Sequence, residues 1–115
     1  MVPTPTATPT PAAGKNTEDV AAITALINAQ KALGATVGED LDNREEYIWS
    51  EDGRLAEINW ENKNLQGSLS LKGLPEVRIL NCFDNGLASL DVSNCTALED
   101  FDYDDGVIVT GWEEN

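Results

Sequence analysis

Four aspartates within six residues, Asp100, Asp102, Asp104 and Asp105, form the densest group of potential ligands in the chain. Alternate residues of a strand share a face, so Asp100, Asp102 and Asp104 would present carboxylate oxygens together, the donor type that calcium takes. The spacing suits an EF-hand loop poorly. Gly106 comes one residue late for the sharp turn, and Gly111 stands in the place of the closing Glu. A solvated acidic face, which keeps a short sheet soluble and discourages edge pairing, accounts for the same residues without a metal, and no cofactor or metal is expected. The chain has no histidine, which excludes a Ser/His/Asp triad, a Cys/His dyad and imidazole-bound zinc, and two cysteines cannot build a four-thiolate site. Cys82 and Cys95 have no His or Lys beside them to lower a thiol pKa, so they are expected to be reduced, buried space-fillers, with a disulfide as the alternative. Glycosidases need two carboxyl groups about 5 to 9.5 Å apart across a cleft. Among 21 acidic residues a suitable pair arises by chance, and short strands offer no deep cleft, so no enzymatic activity is expected.

The elements that position these residues must come from 115 residues, 41% of them hydrophobic, enough for one modest core. A net charge of −14 opposes nucleic-acid binding, which rests on clustered Lys and Arg, and any charged partner should be basic. No apolar run approaches the roughly 20 residues that span a bilayer, so no membrane insertion is expected. Residues 1–15 alternate Pro with Thr and hold no large apolar side chain after Val2, which predicts an extended, disordered linker. Such a tract is similar to the linkers of secreted, multi-modular bacterial surface proteins.

Residues 16–115 should form the folded domain. Val20, Ile23, Leu26, Ile27, Gln30 and Leu33 recur at helical spacing, with Asn16 or Thr17 placed to cap, Glu18 and Asp19 in the first turn, and Gly34 at the stop. This predicts a helix over Glu18 to Leu33, one-sided and therefore a lid. Residues 38–46 read as an acidic loop. Tyr47 to Trp49, a turn at Ser50 to Gly53, and the alternating run Arg54 to Trp60 predict a hairpin.

From Leu55 the apolar residues recur in register. Leu55, Ile58, Trp60 and Leu65 are followed 22 residues later by Val77, Leu80, Cys82 and Leu87, and 21 residues after that by Leu98, Phe101, Tyr103 and Ile108. Leu71 to Val77 and Val92 to Leu98 correspond as the intervening turns. The pattern L-x-x-L-x-L-x-x-N-x-L resembles the leucine-rich repeat family, bacterial secreted type, over Leu55 to about Trp112. The resemblance implies an α/β fold: a short leucine-rich repeat solenoid of about three repeats with an N-terminal capping helix and β-hairpin (residues 16–54, repeats 55–112). The family's asparagine, which satisfies backbone groups where the chain leaves the strand, is present as Asn85 and is replaced by Lys63 and Gly106 in the flanking repeats. At the far end, Val107 to Trp112 is expected to fold back over the last repeat with Trp112 as a plug. Trp49, Trp60 and Trp112 are read as core or cap residues.

Family members usually bind through the concave strand face, which in this register carries Glu57, Asn59 and Glu61, then Ile79, Asn81 and Phe83, then Asp100, Asp102 and Asp104. An apolar spot at Ile79 and Phe83 within polar surroundings suits a protein contact. The resulting expectation is a non-catalytic, monomeric interaction module of a bacterial extracellular or cell-surface protein, with a protein partner of basic character. A carbohydrate- or cell-wall-attachment module and a structural spacer without a ligand are the alternatives.

Overall fold

The computed structural model describes residues 15–111, so the Pro/Thr tract up to Gly14 and the expected plug Trp112 lie outside the described residues. The chain is an α/β fold with one N-terminal helix and two small, mostly parallel sheets. Helix α1 covers Thr17–Ala32 and is capped by the Asn16 side chain, which accepts from the Asp19 N–H at 3.0 Å. It ends at Gly34, whose φ of 103° suits glycine alone among common residues. Strands β1 (Tyr47–Trp49) and β2 (Leu55–Asn59) form the expected antiparallel hairpin, with Tyr47 opposite Ile58. Beyond it the chain alternates between sheets: β3 (Gln66–Ser70), β4 (Ile79–Asn81), β5 (Gly86–Asp91), β6 (Asp100–Asp102) and β7 (Ile108–Thr110). The four-stranded sheet runs β1-β2-β4-β6 and the three-stranded sheet β3-β5-β7.

The core lies between the sheets, where the recurring apolar residues meet. Leu55, Ile58, Trp60 and Leu65 are buried, as are Val77, Leu80, Cys82 and Leu87, and then Leu98. The turn residues Leu71, Leu74, Val92 and Cys95 join them. The spacing also appears in the backbone. Asn62, Asp84 and Gly106, 22 residues apart, each have positive φ (57°, 66° and 94°), at residue types that tolerate the left-handed region.

The two ends of the stack differ. At the N-terminal end β1 pairs along one side of β2, while α1 packs on β3 and contributes Ile23 and Ile27 to the core. Two buried polar side chains of α1 meet backbone groups that would otherwise be orphaned. Gln30 imitates a strand, donating to the Gln66 carbonyl and accepting from the Gln66 N–H, both at 2.9 Å. Asp19 accepts from the Leu55 N–H at 3.0 Å and from Arg54 Nε at 2.8 Å. At the other end the expected fold-back is not seen: Ile108 to Thr110 continues the three-stranded sheet in parallel, opposite Ser89 to Asp91. Tyr103 and Ile108, expected inside, are 38% and 68% exposed, and Tyr103 stacks on Phe101 with ring centroids 5.0 Å apart. Leu33, expected on the buried stripe, is the C-cap residue and is also exposed. No helix among the described residues is long and apolar enough to cross a membrane.

Candidate functional site

The outer face of the four-stranded sheet carries the residues that the register singled out. Parallel pairing aligns Glu57, Ile79 and Asp100 in one row across β2, β4 and β6, and Asn59, Asn81 and Asp102 in the next. Glu61, Phe83 and Asp104 follow just beyond the strand ends. Phe83 is 49% exposed, an apolar side chain open to solvent at the centre of a polar face.

Hydrogen bonding separates the available groups from those already engaged. Asn81 donates its amide to Glu61 Oε1 at 3.1 Å and accepts from the Phe83 N–H at 3.1 Å. Asn59 accepts from the Glu61 N–H, and its amide donates to no described residue. Asp104 turns away from the face: its two oxygens accept from the Asp84 and Asn85 N–H groups at 2.9 and 2.8 Å. It thus secures the turn of the preceding repeat. Glu57, Asp100 and Asp102 make no side-chain hydrogen bond or ion pair with any described residue, and Ile79 and Phe83 lie beside them. The aspartates do not converge. Among the described residues no group of three or more Asp, Glu, Cys or His could hold a metal ion.

Asn85 does for one turn what Asp104 does for the next. Its Oδ1 accepts from the Lys63 and Leu65 N–H groups at 2.9 and 3.0 Å, while Nδ2 donates to the Trp60 and Cys82 carbonyls at 2.8 and 2.9 Å. One side chain thereby ties the ends of β2 and β4 to the following turns and fixes the spacing of the outward rows. Cys82 and Cys95 are both buried free thiols, donating to the Asp102 and Leu71 carbonyls. Burial, with nearby carboxylates adding to it, pushes Cys82 up to about 12 and Cys95 up to about 11, so neither is a nucleophile at neutral pH.

Sequence reasoning missed one wall of the site. Residues 44–46 rise beside β2 and border a cavity of about 290 Å³ against Ile48, Glu57, Asn59, Ile79 and Asn81. A second cavity of about 260 Å³ shares Glu45, Glu46 and Asn59 with it and continues past Glu61 to Lys63. The wall is anchored by Glu46, a buried carboxylate that accepts from the Gly38 N–H at 2.9 Å and Asn43 Nδ2 at 3.2 Å and has Lys63 Nζ 3.6 Å away. Tyr47 donates its hydroxyl to the Gly38 carbonyl at 2.6 Å and accepts from Trp60 Nε1 at 3.1 Å. Burial raises its phenol pKa. Lys15, the last residue of the expected linker, pairs with Asp42 and lies over the Trp49 ring, 5.2 Å from its centroid. Trp49 in turn donates to the Leu41 carbonyl at 2.9 Å. Compared with known protein families, curated proteins and solved structures, the chain matches none.

Proposed function

We propose that the chain is a short leucine-rich repeat coil that serves as a non-catalytic interaction module of a bacterial extracellular or cell-surface protein. In this reading it docks a protein partner of basic character on the outer face of the four-stranded sheet. The repeat assignment draws support from three features: the buried residues at 22-residue offsets, continued 21 residues later by Leu98, the left-handed residues at 62, 84 and 106, and the side chain of Asn85 bridging two turns. The docking assignment rests on the aligned outward rows around the exposed Phe83. An exposed aromatic within a polar, acidic surround is the composition of a small interface centre with its rim.

The test compares the wild-type chain with a variant carrying Asn81→Ala, Phe83→Ala and Asp102→Ala as bait for bacterial and host surface extracts. Loss of a captured protein by a variant with an unchanged melting temperature supports docking on this face. Equal recovery by both baits, or no partner for either, counts against it and favours a second reading, a structural cap or spacer within a longer array. The exposed Ile108 speaks for that role.

A further inference from the structure

We propose that the furrow between residues 44–46 and the outer face of the four-stranded sheet receives an arginine or lysine side chain of the partner, an inference that rests on the docking role above. The first cavity, about 290 Å³, is large enough to take a single long side chain. Its lining is split by chemistry. Ile48 and Ile79 give an apolar surface for an aliphatic stem, and Glu45 and Glu57 give carboxylates for a cationic head, the arrangement in which Lys and Arg bury their stems while the charge stays hydrogen-bonded.

The charges in the furrow do not cancel internally. Glu46 is spent on Gly38, Asn43 and Lys63, whereas Glu45 and Glu57 make no ion pair with any described residue. Arg44, exposed at the rim, is the only cation lining the first cavity. The furrow therefore carries a negative surplus within a chain of net charge −14, which draws cationic groups toward it. Its walls are fixed before binding: β1 is paired to β2, and the buried Glu46 holds the 38–46 loop. Little ordering cost is left for the complex to meet. A planar guanidinium can bridge two carboxylates that an ammonium meets one at a time, so arginine should bind more tightly than lysine.

The experiment titrates the full, isotope-labelled chain with N-acetylarginine methylamide and with the lysine, citrulline and glutamate analogues, following backbone amide shifts. Saturable shifts confined to residues 45–48, 57–59 and 79–81 are expected, with a Kd on the order of millimolar for arginine and at least about tenfold weaker binding of the isosteric but neutral citrulline. Glu57→Gln should weaken arginine binding about fivefold or more, while Glu18→Gln, which removes the same charge on the exposed side of the helix and outside the cavity, should leave it unchanged. The proposal is overturned if citrulline matches arginine, if the glutamate analogue binds instead through Arg44, if shifts centre on Asp100 to Asp105, or if none saturate. These outcomes are separate from docking itself. A partner still lost by Phe83→Ala, outside the cavity, would leave that reading standing with the furrow excluded from it.

Discussion

Replacing Asn85 with alanine should destabilise the fold far more than its half-exposed position suggests. The substitution removes the sole described acceptor of the Lys63 and Leu65 N–H groups and the donor to the Trp60 and Cys82 carbonyls. A hydrogen bond contributes about 1 kcal/mol net, and an orphaned buried group costs roughly 1–3 kcal/mol. The site is only partly buried, so water will rehydrate some of the four groups, and a loss of about 2–4 kcal/mol follows. Asn85→Asp should not rescue it, because a carboxylate oxygen would then face the carbonyls that Nδ2 now serves. Asn94→Ala removes one exposed bond, to the Lys72 carbonyl, and should cost at most about 1 kcal/mol. Urea unfolding at constant m-value measures all three variants. A loss below about 1 kcal/mol for Asn85→Ala would refute the role of this side chain as the tie between turns.

Three further perturbations test the frame. Asp19→Ala leaves Arg54 and the Leu55 N–H without their buried acceptor, and urea unfolding should show a loss of about 3 kcal/mol, within the range for breaking buried pairs. The thiols make stability fall with alkalinity: the folded pKa values of about 12 and 11 lie above the unfolded value of about 8.5, so the folded state holds more protons as pH rises between them. Unfolding at pH 7 and pH 10 should show this loss, reduced in the Cys82→Ala, Cys95→Ala double variant, and a native chain alkylated rapidly at pH 8 would contradict it. Ile108→Lys should change the melting temperature little, whereas Leu87→Lys, one repeat earlier and buried, should unfold the chain; equal effects would mean that the last repeat is covered.

The helix, the hairpin and the outward rows were legible because each follows from a local period. Ile23 and Ile27 fall at helical spacing, and Leu55, Val77 and Leu98 at the repeat interval. The three-stranded sheet was not legible. Gln66 to Ser70 holds one large apolar residue, Leu69, beside two serines and a glycine with positive φ, and it becomes a strand only by stacking on β5, where Ser68 and Ser89 share a hydrogen bond of 2.7 Å. Strand propensity there is a consequence of tertiary pairing. The same limit hid part of the site. Asp19 reads locally as a charge for the helix N-terminus, yet its main partners are 35 and 36 residues away. The 44–46 wall depends on a carboxylate, Glu46, that ordinary burial statistics place on the surface. Alternation pointed Asp104 outward, but two backbone N–H groups of the preceding turn claim its oxygens.

Hydroxyl-radical footprinting of the chain alone and in complex with its captured partner tests the docking face most directly. Protection of Ile79 and Phe83 on the four-stranded sheet, with Leu33 and Ile108 labelled as in the free chain, is the expected result. Protection of Ile108 or Leu33 with Phe83 unchanged would contradict it and move the contact to the end of the stack or to the helix.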